Sequence, residues 1–216
     1  MEIRLMKKIM GSNSEIAEEN RKRFAERQVA VVNVMASPGA GKTSTILGLL
    51  AALRGVTNTA VIEGDIASSI DAEKIDAIGV PVVQINTGGG CHLDANVIRE
   101  AADDLQTRDG LLFIENVGNL ICPSSFDLGE TLRMVIASVP EGHDKPYKYL
   151  AMFESADVVV LNKVDLIDYI DFDKDAFYRG VAAINTKHAP IIEVSCRTKS
   201  GLQELADHIL QACRTR

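Results

Sequence analysis

Tryptophan is absent from this sequence, and aromatic residues make up only 5% of its 216 positions. The four cysteines are too few for a disulfide-rich scaffold, and a chain of this length buries a full hydrophobic core without cross-links. They are therefore available as ligands. There is no excess of positive charge, because 30 acidic and 23 basic residues give a net charge of −7. This balance argues against a nucleic-acid partner, which would need clustered lysines and arginines.

Long hydrophobic runs are also missing. The longest, such as residues 158–161, extend over only a few positions, whereas about 20 are needed to span a bilayer. The opening residues 1–10 mix charged side chains with apolar ones and have no signal-peptide pattern. We therefore expect no transmembrane helix, no membrane partner and a cytoplasmic location, where cysteines stay reduced.

The sequence does contain a regular alternation of short apolar strands with helices. An opening amphipathic helix is predicted over residues 12–27, with Ser12, Asn13 and Ser14 as candidate N-caps. Strands are predicted over residues 30–35, 59–63, 81–86, 111–115, 134–139, 157–161 and 190–194, and helices over 41–53, 69–77, 94–105, 174–185 and 201–213. Strands that are apolar on both faces indicate a mostly parallel sheet covered by helices. The predicted fold class is a three-layer α/β domain preceded by an N-terminal helix.

A glycine-rich loop follows the first predicted strand and precedes an apolar helix. Residues 37–44 read SPGAGKTS, which is the context of a phosphate-binding P-loop, with Ala36 in the place of the usual first glycine. Backbone N–H groups of such a loop point at phosphate oxygens, and the helix dipole adds positive potential. We expect Lys42 to bridge the terminal phosphates and the Thr43 hydroxyl to hold Mg²⁺. The predicted phosphate-binding residues are Pro38, Gly39, Ala40, Gly41, Lys42, Thr43 and Ser44.

A guanine-reading motif, Asn-Lys-Val-Asp at residues 162–165, directly follows another predicted strand. The Asp165 carboxylate can accept hydrogen bonds from both N1–H and the exocyclic amine of guanine, whereas adenine would leave it unpaired. A site of this kind can favour guanine over adenine by a factor on the order of 10⁴. Asn162 is expected to orient the loop, and the stem of Lys163 to cover the ring face. Ser195 and Cys196 end the last strand, where they would back the guanine, with Cys196 in a place where alanine is more usual.

Two acids at strand ends are predicted to serve the phosphates. Asp65 and Glu115 can each hold Mg²⁺ or its water, together with Thr43. Residues 115–118 resemble the acidic-x-x-Gly switch of P-loop GTPases, in which the Gly118 N–H would meet the γ-phosphate and couple hydrolysis to loop position. Glu63 is equally well explained as a solvated strand end. The predicted catalytic residues are Lys42, Asp65, Glu115 and Gly118.

A second candidate site contains soft ligands. Cys91 and His92 follow three glycines at residues 88–90, and Cys122 lies four residues beyond Gly118. Adjacent residues of a strand point to opposite faces, so joint ligation needs the irregular turn that glycines allow. Thiolate and imidazole suit Ni²⁺, Zn²⁺ or copper rather than Mg²⁺, and three ligands leave a position for water, a bridging thiolate or a second chain. Because four residues reach at most about 14 Å, we expect nucleotide state to alter this metal site.

Together these motifs resemble one family, the hydrogenase nickel-incorporation GTPases, which are maturation factors of [NiFe] hydrogenase. The resemblance covers nearly the whole chain. Besides the P-loop and the guanine-reading motif, it rests on residues 90–94 (GCHLD), 115–123 (ENVGNLICP), 126–130 (FDLGE), 139–142 (VPEG) and 145–146 (KP). The urease accessory GTPase is a near relative, but it carries Cys-Pro-His where this chain has Cys91-His92.

The resemblance implies slow GTP hydrolysis, with GTP or GDP and Mg²⁺ as cofactors and Ni²⁺ or Zn²⁺ at Cys91, His92 and Cys122. It also implies a homodimer favoured by GTP and metal and joined near the Cys91 and Cys122 loops. The implied partners are a small zinc-containing nickel-delivery protein and the hydrogenase large-subunit precursor. The cysteine-rich nickel motif and histidine-rich tract of some members do not occur in this sequence, so we expect nickel at the domain's own site or from the partner.

The sequence thus predicts a GTP-hydrolysing metallochaperone, with a helical extension at residues 1–28 and a P-loop GTPase domain at residues 29–216. Three alternatives are a nucleotide-gated regulator with a structural zinc site, a urease-accessory type of nickel GTPase, and a P-loop kinase of small molecules. The guanine-reading motif argues against the kinase. Cys196 and Cys213 are interpreted as packing residues rather than metal ligands.

Overall fold

The helices and strands alternate along the chain in a computed structural model that describes residues 2–214, with side chains from residue 11 onward. The helices are α1 (Glu2–Glu26), α2 (Lys42–Leu53), α3 (Ile70–Asp76), α4 (Ala95–Leu105), α5 (Lys145–Lys148), α6 (Leu150–Glu154), α7 (Lys174–Ile184) and α8 (Leu202–Arg214). The strands are β1 (Val29–Ala36), β2 (Asn58–Asp65), β3 (Val82–Asn86), β4 (Gly110–Glu115), β5 (Leu132–Ser138), β6 (Val158–Asn162) and β7 (Ile191–Glu193). Short 3₁₀ helices occur at Cys122–Ser125, Val139–Glu141 and Val164–Tyr169.

The seven strands form one sheet in the order β3-β2-β4-β1-β5-β6-β7. Every pairing in the sheet is parallel, and β1 lies near its centre between β4 and β5. The loops that leave the carboxyl ends of the strands therefore meet at one edge, where ligands of such sheets bind. The predicted three-layer α/β fold is confirmed.

Successive residues of each strand pack against opposite helical layers, because side chains alternate between the two faces of a sheet. In β1, Val32 packs toward α2 and α8, whereas Val31 packs toward α1 and α4. In β6, Val159 packs toward α6 and α7. Burying one such side chain stabilises the fold by about 1.5–3 kcal/mol. These layers fix the strand ends from which the candidate site is built.

The N-terminal helix differs from the prediction. It begins at Glu2 rather than at residue 12, so the predicted N-caps Ser12, Asn13 and Ser14 lie inside the helix. Asn13 does not act as a cap because its side chain makes tertiary contacts: its Nδ2 donates to the Asp127 carbonyl at 2.8 Å, and its Oδ1 accepts the Ala95 N–H at 2.8 Å. A residue type that usually marks a helix start is here used for contacts with two other segments.

Two short helices, α5 and α6, and the 3₁₀ turns do not appear among the predicted elements. Each is too short to show a helical hydrophobic period. The predicted strand at 134–139 ends instead at Ser138, because a capping box between Ser138 and Glu141 starts a 3₁₀ turn at Val139. Among residues 2–214, no helix combines the length and the apolar character needed to cross a bilayer.

Candidate functional site

The P-loop connects the end of β1 to the start of α2. Gly39 and Gly41 adopt φ angles of 77° and 100°, which side chains other than glycine rarely tolerate. A side chain at Gly41 would also collide with the Asn162 amide. The sequence therefore places glycine where the backbone must turn and where the guanine-reading loop comes closest.

Two hydrogen bonds join the guanine-reading loop to the P-loop. The Asn162 Nδ2 donates to the Ala40 carbonyl at 2.9 Å, and the Lys163 Nζ donates to the Gly39 carbonyl at 2.6 Å. Lys163 has a left-handed φ of 60°, and its N–H donates to the Asn162 Oδ1 at 2.7 Å. Nearly all of the Asn162 surface is buried. The base-reading and phosphate-reading loops therefore form one braced unit.

Beside this unit lies a cavity of about 740 Å³, the base cavity, which Asn162, Lys163, Asp165 and Cys196 line together with Gly41 and part of α2. Its volume lies within the range of about 300–1,000 Å³ that is typical of small-molecule sites.

Asp165 at the wall of the base cavity is oriented by a serine. The Ser195 Oγ donates to the Asp165 Oδ1 at 2.6 Å and accepts the Thr198 N–H at 3.1 Å. The Cys196 Sγ lies 3.4 Å from the Thr45 Oγ1, on the floor formed by α2. The structure thus gathers the residues predicted to read guanine, namely Asn162, Lys163, Asp165, Ser195 and Cys196.

A second cavity of about 610 Å³, the phosphate cavity, continues past the P-loop toward β2 and β4. Lys42, Asp65 and Gly118 line it. A Cβ built on Gly118 would lie 3.2 Å from a Pro38 side-chain carbon and 3.4 Å from the Lys42 Nζ. The switch glycine therefore packs directly against the P-loop, and its lack of a side chain permits that approach.

Three carboxylates meet at the inner end of the phosphate cavity. One oxygen each of Glu63, Asp71 and Glu115 lies within 4.8 Å of the others, and we call this group the carboxylate cluster. The Thr43 Oγ1 is 2.9 Å from the Glu115 Oε1 and 3.0 Å from the Asp71 Oδ2. Four oxygen donors at one place match the preference of Mg²⁺ for hard ligands.

The carboxylate cluster is electrostatically unsatisfied. Burial, and then the neighbouring Glu115 carboxylate, raises the pKa of Glu63 above its ordinary value. Burial likewise raises the pKa of Glu115. Among the described residues, the Oε2 atoms of Glu63 and Glu115 have no hydrogen-bond partner. Because a buried oxygen without a partner is costly, the cluster suits a cation better than it suits an empty core.

Sequence reasoning assigned these acids only in part. Glu115, a predicted magnesium ligand, lies in the carboxylate cluster. Glu63 also lies there, although the sequence explained it equally well as a solvated strand end, and the sequence indicated no role at all for Asp71. Asp71 belongs to α3, and an acid in the first turn of a helix is too common to signal a site. Asp65 lines the same cavity, but its Oδ1 accepts the Ala67 and Ser68 N–H groups at 2.9 and 2.7 Å, which lowers its pKa.

The soft ligands also come together. Ligand atoms of Cys91, His92 and Cys122 all lie within 4.8 Å of one another, and we call them the metal trio. The Cys91 Sγ is 3.6 Å from the His92 Nδ1. Gly88 and Gly89 have φ angles of 61° and 108° and supply the turn that lets adjacent ligands converge. Two thiols and an imidazole at this spacing suit Ni²⁺ or Zn²⁺.

Neighbouring side chains hold the metal trio in place, and sequence reasoning assigned none of them a role there. The Phe126 ring stacks on the His92 ring with centroids 3.7 Å apart and an angle of 20° between planes. The Asn119 Nδ2 donates to the Cys91 carbonyl at 3.3 Å, while its Oδ1 accepts the Ile121 N–H at 2.8 Å. A hydrogen bond with Cys122, and then burial, raises the pKa of the Cys91 thiol. Phe126 lies within the FDLGE segment, which was the only signal for it.

Comparison with known proteins identifies the family of this chain. Residues 30–192 match the family described as CobW/HypB/UreG, nucleotide-binding domain. The chain is 47% identical over 205 residues to hydrogenase maturation factor HypB of Azotobacter vinelandii, with 94% of this chain and 67% of that protein covered. The chain belongs to the CobW/HypB/UreG family, in its hydrogenase-maturation branch. It spans about two thirds of the length of that HypB relative.

Two solved HypB structures share the fold. HypB from Helicobacter pylori, in complex with nickel, is 35% identical with a TM-score of 0.89, covering 94% of this chain and 96% of that one. HypB from Archaeoglobus fulgidus is 36% identical with a TM-score of 0.87, covering 94% and 99%. The predicted family and the predicted P-loop nucleotide-binding fold are confirmed.

Proposed function

We propose that this chain is a GTP-hydrolysing metallochaperone that binds nickel, or zinc, and couples its nucleotide state to nickel insertion during [NiFe] hydrogenase maturation. The observation that carries the proposal is one short segment, residues 115–122, which we call the switch segment. Glu115 begins it in the carboxylate cluster, Gly118 packs on the P-loop, and Cys122 ends it in the metal trio. A change at the phosphates therefore has a direct covalent route to a metal ligand.

Guanine selection would fall to Asp165, which Ser195 orients toward the base cavity. Its carboxylate can accept from the two N–H groups that guanine presents and adenine lacks. Asn162 and Lys163 would hold the base loop on the P-loop, so that base and phosphates are read together. Preference for ATP in a nucleotide competition assay would instead favour the P-loop kinase.

Phosphate binding would use Lys42, the Gly118 N–H and the backbone N–H groups of residues 39–44. Pro38, which has no N–H, begins this part of the P-loop. Thr43, Glu115 and Asp65, the predicted magnesium ligands, line the phosphate cavity. The carboxylate cluster adds Glu63 and Asp71 as donors of the same kind. When bound, Mg²⁺ supplies positive charge beside the phosphate oxygens. Lys42 and the backbone donors stabilise the charge that develops there.

Nickel is the cargo in this proposal, held by the Cys91 and Cys122 thiolates and by His92. Both thiols must lose their protons to bind it. A fourth position stays available for water or for a second chain, which supports a homodimer favoured by GTP and metal. The partners we propose are a small zinc-containing nickel-delivery protein and the hydrogenase large-subunit precursor. The division into a helical extension at residues 1–28 and a GTPase domain at residues 29–216 stays a prediction.

Calorimetric Ni²⁺ titration tests the proposal, with the nucleotide-free, GDP-bound and GTP-analogue-bound proteins compared. We expect one strong site per chain whose affinity differs among the three states. Cys91→Ala and Cys122→Ala should each lose that site. Cys213→Ala is the matched control, because Cys213 is also a half-buried cysteine but lies on α8.

Two outcomes would contradict the proposal in different ways. Strong binding retained by both ligand variants would refute the metal trio as the site. Equal affinity in all three nucleotide states would leave a nucleotide-binding protein with a fixed metal site, as in the zinc-regulator alternative. In parallel, light scattering should show a dimer with metal and GTP analogue, and a constant mass near 23.4 kDa would refute the homodimer.

A further inference from the structure

A buried asparagine joins the switch segment to the loop that carries Cys91 and His92. Asn116 lies between Glu115 and Val117 and has no exposed surface. Its main-chain N–H donates to the Val34 carbonyl of β1 at 3.0 Å, so its backbone continues the sheet. The Asn116 main chain is therefore anchored to the central strand of the sheet.

The Asn116 side chain bonds to both functional loops at once. Its Oδ1 accepts the Val117 N–H at 3.0 Å, one residue before the switch glycine. The same atom accepts the Leu93 N–H at 3.3 Å, one residue after the ligand His92. Leu93 is itself almost fully buried. One amide oxygen thus holds together the backbone of the switch segment and the backbone of residues 88–94, which we call the metal loop.

The amide is held in this orientation from behind. The Asn116 Nδ2 donates to the Asn33 Oδ1 at 3.2 Å, and Asn33 is also fully buried. The Asn33 Nδ2 in turn lies 3.5 Å from the Glu130 Oε1. Glu130 accepts the Arg133 Nε–H at 2.6 Å, and the Arg133 Nη1 donates to the carbonyl of Ser124, two residues after Cys122 in the same 3₁₀ turn, at 3.3 Å. The polar chain that starts at the His92 side of the metal trio therefore ends at its Cys122 side.

We propose that Asn116 is a positioning residue that transmits the nucleotide state of the switch segment to the Cys91-His92 half of the metal trio. This inference rests on the proposed function and adds a second route to it, because the covalent route through the switch segment reaches only Cys122. A shift of Val117 relative to Leu93 would leave a buried N–H without its acceptor. The metal loop must therefore follow the switch segment.

The test measures the ratio of Ni²⁺ dissociation constants in the GDP-bound and GTP-analogue-bound protein. Coupling between sites commonly amounts to about 5–150-fold. We expect the wild type to show a ratio in that range and Asn116→Ala to lower it by at least about 2-fold, with a residual ratio carried by the covalent route to Cys122. Asn116→Asp keeps an oxygen that can accept both N–H groups but loses the Nδ2 donor to Asn33, so it should retain more of the ratio than Asn116→Ala and less than the wild type.

Asn185→Ala is the matched control. Asn185 is also a buried asparagine, and its Nδ2 donates to the Phe153 and Ala156 carbonyls at 2.7 and 2.9 Å, away from both sites. It should lower the thermal midpoint much as Asn116→Ala does but leave the ratio unchanged. If Asn116 had only a structural role, Asn116→Ala and Asn185→Ala would show the same thermal midpoint and the same ratio of Ni²⁺ dissociation constants.

The possible failures are distinguishable. A wild-type ratio near one would overturn the proposed coupling itself. A normal ratio in a folded Asn116→Ala protein would overturn only the role of Asn116. If that variant does not fold, hydrogen exchange of residues 88–94 in the wild type decides: we expect different exchange in the GDP and GTP-analogue states, and identical exchange would overturn the inference.

Discussion

The nucleotide side and the metal side of this molecule are built in different ways. On the nucleotide side, loops at the ends of β1 and β6 are braced on each other by hydrogen bonds to main-chain carbonyls, and Glu63 and Glu115 behind them are buried. On the metal side, three half-buried side chains from two loops converge. They depend on a ring stack and on the Asn119 amide for their positions. The first site is a property of backbone motifs, and the second depends on what packs around it.

Helix α1 sharpens this difference because its polar contacts serve the metal side. Asn13 bonds to Ala95 and Asp127, and the Asn20 Nδ2 donates to the Ala95 and Leu128 carbonyls at 2.8 and 3.1 Å. These segments follow His92 and flank Phe126, the residue stacked on it. A helix that is distant in sequence from the ligands therefore supports the loop that presents them.

The largest expected effect is a loss of nucleotide selectivity that leaves the metal side unchanged. Asp165→Asn exchanges an acceptor for a donor where guanine presents its N1–H and amine. Preference for GTP over ATP should fall by at least about 10³-fold, since an unpaired buried polar group carries such discrimination. Competition binding measures it, and Ni²⁺ affinity of the nucleotide-free protein should not change. An unaltered GTP preference would show that Asp165 does not read the base.

A smaller effect should break the metal side alone. Phe126→Ala removes the ring that stacks on His92, so Ni²⁺ affinity should fall about 10- to 100-fold, the usual cost of losing support behind a metal ligand. Phe126→Tyr, which keeps the ring, is the control and should retain affinity. Calorimetry measures both, and GDP affinity without metal should be the same in all three proteins. Equal Ni²⁺ affinity in the alanine variant would mean that the stack does not position His92.

The smallest expected effect concerns the attachment of α1. The Asp103 carboxylate accepts from Arg23 at 2.7 Å and from Arg27 at 2.6 Å, and these hydrogen bonds lower its pKa. Because the pKa is lowered in the folded state, the contribution is present above the ordinary pKa of aspartate and is lost as pH falls through the folded value. Asp103→Asn should lower the free energy of unfolding at pH 7 by less than about 1 kcal/mol, since the Asp103 carboxylate in both ion pairs is exposed to solvent.

Denaturant titration across pH checks this contribution. The difference between the wild type and Asp103→Asn should shrink below about pH 4, near the reference pKa of aspartate, and also at high salt. A difference that stays constant with pH would show that the ion pair is not its source.

Much of the fold could be predicted because its signals are local. Apolar runs and turns located each of the seven strands to within one or two residues, including β1 and β6, which precede the nucleotide motifs. The misplaced start of α1 has a different cause. Asn13 satisfies its amide through Ala95 and Asp127, and no local pattern reveals contacts with residues so far along the chain.

The site divides in the same way. Asn162 and Asp165 could be named because fixed spacings from a strand end place them around one cavity, and Ser195 because it ends the last strand and bonds to Asp165. Asp71 and Phe126 could not, because an acid in a first turn and a lone aromatic are ordinary residues until the chain folds back on itself.

By itself, the sequence determined the parallel α/β sheet and the P-loop, and it singled out the Asn-Lys-Val-Asp motif and the three side chains that the structure brings together as the metal trio. These depend on residue type and on short spacing, which limit the conformations of a few neighbouring residues. Only the tertiary structure decided that Glu63 and Asp71 join Glu115, that α1 supports the metal loop, and that Asn116 links Leu93 to Val117. Such contacts depend on how separate layers pack, and a buried polar group takes whichever partner that packing brings within reach.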